Sequence, residues 1–248
     1  YSRNKKVSGM KNKTEKQIEI QRSYYKKTAQ DYDQMHNDHI EDEHEFAFSW
    51  MLSLIDLFEI KSILDIGSGT GRQIKKIIDL KPDIKIVGVE PSQELREIGY
   101  KKNINRDSLV HGDAMSLDFY DGQFDLVCEF GALHHIPFPK RAVSEMLRVS
   151  KKGIFISDCN NFGQGSFMAR SAKQVINVLG LWKLFDMIKT KGKGYSISEG
   201  DGLAYSYSVF NDYNLIKKKC RRVHLLNTKN AGHNFYKTAS HVALFGMK

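Results

Sequence analysis

The run Ile63-Leu64-Asp65-Ile66-Gly67-Ser68-Gly69-Thr70-Gly71 decides how the rest of the chain reads. SILDIG, residues 62–67, predicts a strand; the glycines predict a tight turn, and RQIKKIIDL directly after them predicts a helix. Glycines at such a turn let the backbone come close to a ligand, because no Cβ stands in the way and positive φ is free. Ligands of open α/β sheets lie at the carboxyl ends of the strands, so this turn is the expected seat of a nucleotide-like molecule. The spacing separates nucleotides. A dinucleotide fingerprint G-x-G-x-x-G would need a glycine where Arg72 stands, and the phosphate-cradling G-x-x-x-x-G-K-[ST] is absent.

Outward from this turn, strand and helix alternate. KIVGVE (85–90) reads as a strand, PSQELREIGYKK (91–102) as a helix opened by Pro91 and Ser92, and LVHGDA (109–114) as a short strand. FDLVCEF (124–130) is a strand, PKRAVSEMLRVS (139–150) a helix and KKGIFISD (151–158) a strand. This alternation calls for a parallel sheet with helices on both faces. Two helices are expected before it, at about 14–32 and at 43–58, the second with Phe48, Met51, Leu52, Ile55 and Phe58 on one stripe. After Asp158 the rhythm breaks. A helix is expected from about Phe167 to Ile188, with Val175, Val178, Leu179, Trp182 and Phe185 as its stripe. Then comes a capped helix near Asn211 or Asp212, and RRVHLLN (221–227) and HVALFGMK (241–248) form an antiparallel pair closing the sheet.

Further candidates lie at the strand ends. Glu90 follows Gly71 by 19 residues, where an ionised carboxylate, an acceptor only, suits the two hydroxyls of a ribose. At the third strand end, Gly112-Asp113-Ala114 offers a carboxylate for an amino group and a backbone N–H for a ring nitrogen.

In these blocks the sequence resembles the class I S-adenosylmethionine-dependent methyltransferases, in particular their small-molecule, methyltransferase-11-like members. ILDIGSGTG resembles the family's first motif, VGVEPS the second and GDA the third, and FDLVCEFGALHHI and MLRVSKKGIFISD resemble the blocks that follow. The resemblance covers roughly residues 62–158; Lys151-Lys152-Gly153 stands where the family often has Pro-Gly-Gly. It implies S-adenosylmethionine as cofactor, S-adenosylhomocysteine as product, and a contact set of Asp65, Gly67, Ser68, Gly69, Glu90, Pro91, Asp113, Ala114 and Glu129. It also implies that YYKKTAQDYD, 24–33, folds over the cofactor, which makes Tyr24, Tyr25 and Tyr32 lid residues. Such chemistry needs alignment and exclusion of water rather than a metal or a covalent nucleophile. An acceptor with a proton to lose needs a base, and His134 and His135, on the loop after the fourth strand, are the candidates, His134 slightly preferred. Trp182, Tyr205 and Tyr207 fall in the segments expected to meet the acceptor.

Composition bounds the alternatives. With 41% hydrophobic and 27% charged residues among 248, the chain is neither disordered nor fibrous. Cys128, Cys159 and Cys220 are far apart and odd in number, which suggests neither a zinc knuckle nor a disulfide framework and fits a reducing cytoplasm. YSRNKKVSGMKNK lacks the apolar run of a secretion signal, and no run approaches a membrane span. The net charge of +9 is concentrated: residues 1–30 hold nine Lys or Arg against Glu15 and Glu19, with shorter basic runs at 189–194 and 217–222. Without interleaved aromatics this is a solvated arm rather than a nucleic-acid footprint. His36, His39 and His44 in HNDHIEDEHEF are read as solvated, with no metal expected.

The sequence therefore predicts a doubly wound α/β domain over residues 14–248 with a seven-stranded, mostly parallel sheet, a flexible basic arm at 1–13, a helical N-terminal cover, and a lid insertion at 160–200. It predicts methyl transfer to an oxygen or nitrogen of a small, anionic metabolite. The rival functions are an RNA methyltransferase tethered by the arm and a non-catalytic S-adenosylmethionine-binding module.

Overall fold

The computed structural model describes residues 16–33, 43–229, 232 and 234–248. Helix α1 covers residues 16–28 and α2 Glu43–Leu57. The alternating core follows: β1 Ser62–Ile66, α3 Arg72–Leu80, β2 Lys85–Val89, α4 Gln93–Lys101, β3 Leu109–Val110, β4 Phe124–Phe130, α5 Pro139–Val149 and β5 Ser150–Cys159. An excursion carries α6 Phe167–Val178, α7 Trp182–Lys189, β6 Ser196–Ser198 and β7 Gly202–Ala204, before α8 Tyr213–Lys219, β8 Arg222–Lys229, α9 Phe235–Thr238 and β9 His241–Met247.

The seven-stranded sheet has the order β3-β2-β1-β4-β5-β9-β8. Strands β1 to β5 are mutually parallel, while β9 runs antiparallel to both β5 and β8. This is the doubly wound sheet expected from the alternation. β1 sits near its centre, with Ile63, Leu64, Asp65 and Ile66 all buried, as a parallel strand covered on both faces requires. One core gathers Leu64, Ile66, Val127 and Ile156 with α5 on one face; the other gathers Ile63, Leu126 and Phe155 with α2 and α3. In α2 the buried positions are Ala47, Phe48, Met51, Leu54 and Ile55, the helical stripe of the sequence shifted by its Leu54. Helix α4 starts where Ser92 accepts a hydrogen bond from Leu95 N at 3.3 Å, and α5 where Pro139 occupies the first turn.

Three expectations change. LVHGDA pairs only through Leu109–Val110, because Asp113 and Ser116 close a turn at once. The long helix expected at 167–188 is two helices, since Gly180 adopts φ 71° and the chain turns there. Its expected buried stripe divides: Val175, Val178 and Leu179 are exposed, while Trp182 and Phe185 are half-buried, Trp182 against Phe162. The Tyr205–Ser208 stretch forms no strand beyond the bridge from Ser208 to Asn160. Among the described residues no helix is long and apolar enough to cross a membrane. The basic arm at 1–13 lies outside the described residues.

Candidate functional site

At the end of β1 the backbone turns through Gly67 at φ 66° and Gly69 at φ 55°. A Cβ on Gly67 would stand 2.5 Å from the Cβ of Ala132, so the loop after β4 closes against bare backbone. The turn is stapled to the next strand end, because Gly67 N and Ser68 N both donate to Val89 O, at 2.9 and 3.1 Å. Gly67→Ala should therefore both strain φ and push the two loops apart. We expect about 1–3 kcal/mol of lost stability and at least tenfold weaker ligand binding, read from thermal melts and calorimetry; unchanged values would show that the loops have slack.

Glu90 ends β2 and is buried. Its Oε2 accepts from Gly69 N at 3.0 Å and its Oε1 from Ser92 N at 2.8 Å, so one carboxylate holds the glycine turn and the start of α4. Burial outweighs those donors and pushes its carboxyl up to about 7. Asp65, one layer deeper, is likewise driven to about 7 by burial. Its Oδ2 has no hydrogen-bond partner among the described residues, and beside it lies a small cavity of about 40 Å³ lined by Gly67, Ser68, Gly69 and Tyr32.

Above these strand ends lies a cavity of about 390 Å³. Gly67, Gly69 and Glu90 line it at one side, Pro91, Asp113 and Ala114 at the far side, and Phe130, Ala132 and His135 toward β4. Asp113 is exposed, and its Oδ1 accepts from Met115 N at 2.8 Å. Helix α1 roofs the cavity with Gln21 and Tyr25, followed by Tyr32. Several bonds hold this roof. Gln21 Oε1 accepts from Leu203 N at 2.6 Å, Gln17 Oε1 from the Tyr205 hydroxyl at 3.0 Å, and Asp33 Oδ1 from the Thr70 hydroxyl at 2.6 Å. Tyr25 packs edge-on to Tyr32 and His135, and burial raises its phenol well above the usual range. Tyr24 points elsewhere: it donates to Glu199 O at 2.8 Å and does not line the cavity.

Past β4, His134 and His135 occupy a 3₁₀ turn, Leu133–His135. His134 Nδ1 contacts Asp158 Oδ1 at 2.7 Å, and its Nε2 lies 3.4 Å from Asp201 Oδ2. Burial opposes its charge, but the two carboxylates prevail and hold the imidazole protonated well above its ordinary range. Both carboxyls are correspondingly held far below theirs, against their own burial. His135 Nδ1 lies 2.7 Å from Leu203 O, an acceptor only, so that nitrogen carries the proton; its Nε2 faces Asp201 Oδ1 at 3.2 Å. His135 lines the cavity above the strand ends and His134 does not.

A second cavity, of about 440 Å³, opens on the other side of this pair. His134, Asp201, Tyr205 and Tyr207 line it together with Asn161, Asp186, Lys189 and His241. Asn161 Oδ1, Asp186 Oδ1 and His241 Nε2 are buried there without hydrogen-bond partners among the described residues. Tyr205 lines both cavities, while Tyr207 is buried and donates to Asp212 Oδ2 at 3.2 Å. Trp182 lines neither; it packs on Phe162 at 4.8 Å. Glu129 is also outside, fully buried, where it accepts from Ala132 N at 2.9 Å and Ser157 N at 3.1 Å and so shapes the loop that carries the histidines.

His134, His135 and Asp201 bring metal-ligand types within 4.8 Å of one another, and His134, Asp158 and Cys159 form a second such group. The hydrogen bonds and ion pairs just described engage both histidines and both aspartates. His36 and His39 lie outside the described residues, and His44 contacts Ser157 Oγ at 3.0 Å. Asp201, Gln17 and Gln21 were not read from the sequence as site residues. Asp201 sits in a hairpin turn and the glutamines on a helix with no motif; only their distant partners give them meaning. Asp158 had a signal, as the acid ending the fifth strand.

Residues 64–157 match the sequence family described as a methyltransferase domain. A chain described as an uncharacterized methyltransferase of Schizosaccharomyces pombe is 35% identical over 104 residues, 38% of this chain and 37% of that one. A demethylmenaquinone methyltransferase of Renibacterium salmoninarum is 34% identical over 91 residues, 37% of each chain. This chain thus spans little more than a third of the length of these curated relatives. Among solved structures, an S-adenosylmethionine-dependent methyltransferase of Thermotoga maritima aligns over 91% of this chain and 99% of its own with a TM-score of 0.54. At 21% identity that likeness is one of fold.

Proposed function

We propose that this chain, whose residues 64–157 match a methyltransferase domain, is a class I S-adenosylmethionine-dependent methyltransferase that transfers a methyl group to an oxygen or nitrogen of a small molecule. The observation that carries the reading is the buried Glu90 carboxylate beside bare glycine backbone, with Asp113 at the far side of one cavity. These residues fit the cofactor. Glu90 suits a ribose diol, Asp113 and Ala114 an adenine edge, and the unpartnered Asp65 Oδ2 a cationic amino group. Gly67, Ser68 and Gly69 let the ligand lie on backbone, and Pro91 walls the far side with Asp113 and Ala114. Bound there, S-adenosylmethionine supplies a methyl group already activated by its sulfonium. The chain's own work is to orient the two reactants and exclude water, which the roof of Tyr25 and Tyr32 serves.

For the acceptor we infer the second cavity. Asp186 and Asp201 stand there with Lys189, and two of the three unpartnered atoms are oxygens. That lining favours an acceptor rich in hydrogen-bond donors over the anionic one expected from the basic runs. Tyr205, shared by both cavities, stands where the two ligands would meet. Glu129, Tyr24 and Trp182 then act as supports, for the loop, the roof and the excursion respectively.

For the base we place proton acceptance on the couple of His135 and Asp201: Asp201 lines the acceptor cavity and its Oδ1 lies 3.2 Å from His135 Nε2, so a proton taken from the acceptor is shared between that oxygen and the imidazole; His134, held protonated between two aspartates, orients the turn. His135→Ala should lower turnover by roughly 10²–10⁴-fold at saturating acceptor; unchanged turnover would remove His135 from the mechanism. The test of the whole reading is calorimetry with S-adenosylmethionine and S-adenosylhomocysteine, followed by a release assay for the latter over amines, alcohols and carboxylic acids. Heat from neither ligand, with binding of a nicotinamide or flavin nucleotide instead, would overturn it; cofactor binding without turnover on any acceptor would favour a binding module. The tethered nucleic-acid reading predicts RNA binding that falls steeply with salt and disappears on deleting residues 1–13.

A further inference from the structure

The excursion between β5 and β8 is apolar on the side where a monomer should be polar. Ten of the sixteen exposed large hydrophobic residues among those described fall within 167–197. On α6, Phe167, Met168, Val175 and Val178 share one helical face and are 75%, 80%, 59% and 85% exposed; on α7, Leu184 and Ile188, one turn apart, are 60% and 69% exposed. The inner side of α7 is already apolar, through Trp182 on Phe162 and Phe185. A helix apolar on both sides belongs in a protein core or at a lipid boundary. Scattered exposed side chains need no explanation, but a continuous face of this kind does.

Charge decides what covers it. Residues 167–198 hold Arg170, Lys173, Lys183, Lys189, Lys191 and Lys193 against Asp186 alone. Two copies meeting through this face would bring two strongly positive surfaces together. The chain's undescribed stretches are poor covers: residues 1–13 carry five Lys or Arg, and 34–42, QMHNDHIED, are largely polar. Apolar side chains flanked by lysines are the pattern of helices that lie in the plane of an anionic membrane, the side chains entering the acyl boundary and the lysines meeting headgroups.

We propose that the outer face of α6 and α7 docks on an anionic lipid surface. The contact is peripheral and is independent of the proposed methyl transfer. The test is co-sedimentation of the full chain with vesicles of phosphatidylcholine alone and of phosphatidylcholine with phosphatidylglycerol. Binding is expected to the anionic vesicles, weakening in 0.5 M salt as the lysines are screened. Val178→Glu and, separately, Ile188→Glu should each lower the partition coefficient roughly tenfold or more. Lys191→Glu combined with Lys193→Glu should reduce it and flatten the salt dependence. All these positions are exposed, so melting curves should stay where they are, and calorimetry with S-adenosylhomocysteine on the same samples reads the other site separately. Equal sedimentation with and without phosphatidylglycerol, no sedimentation with either, or a dimer in light scattering that Val178→Glu dissociates, would each overturn the proposal.

Discussion

Glu90→Ala should weaken S-adenosylmethionine binding by about 1–3 kcal/mol, or roughly 5- to 150-fold in Kd, because the variant loses the acceptor proposed for the ribose and strands two backbone donors at once. Gly69 N and Ser92 N each give their hydrogen to this carboxylate, so the glycine turn loosens as well. The pH dependence tests the same assignment. A carboxyl raised to about 7 by burial keeps its proton in the unliganded fold, where an ordinary glutamic acid would have lost it near 4.5. Its contribution to stability is therefore full below that ordinary value and lost as pH rises toward 7. A ribose diol donates to the ionised form, so cofactor affinity should increase from pH 6 to pH 8 and then level. Asp65 titrates over the same range. Glu90→Gln should leave the shallower slope of Asp65 alone. A flat wild-type profile by calorimetry would reject both assignments.

Asp158→Ala should be the most damaging change to the fold itself. The side chain is fully buried, it faces His134 at 2.7 Å, and its Oδ2 accepts from His134 N at 3.2 Å. Removing one partner of a buried pair leaves the other charge uncompensated, at a cost of about 3–5 kcal/mol. For a chain of this size that corresponds to a fall in melting temperature of very roughly 6–20 °C. The sign with pH follows from both partners. The depressed aspartate contributes above its ordinary value near 3.8 and loses that contribution in acid; the raised histidine contributes below 6.5 and loses it only well above. The gap between wild type and variant should thus be widest near pH 5–7 and narrow toward pH 3. A constant gap in melts at those pH values would mean that Asp158 acts by packing alone.

The parallel core was legible because each strand announces itself by an unbroken apolar run and each turn by glycine or a cap. SILDIG, KIVGVE and FDLVCEF fall within a residue of the strands that form, and the place of Glu90 at a strand end was legible because its spacing from Gly71 is fixed by one helix and one strand. The excursion was not legible. Val175, Val178 and Leu179 have helical spacing, and spacing cannot say whether a stripe faces core or solvent; Gly180 then ends the helix in a φ that only the turn requires. Glu129 carried the right residue type at a strand end, yet two backbone donors claim it from behind. Asp201 could not be found at all, since its relation to His134 and His135 exists only after a 65-residue loop has closed.

The strand order has a consequence for how the protein is made. β9 lies between β5 and β8, so the Ile154–Phe155–Ile156 stretch faces an empty position until residues 241–247 leave the ribosome. During translation the nascent sheet presents an open, strongly apolar edge for the time taken to add more than eighty residues, a state prone to pairing with a neighbouring chain. Slow decoding of the stretch that encodes residues 160–247 would lengthen that exposure and lower the yield of native protein.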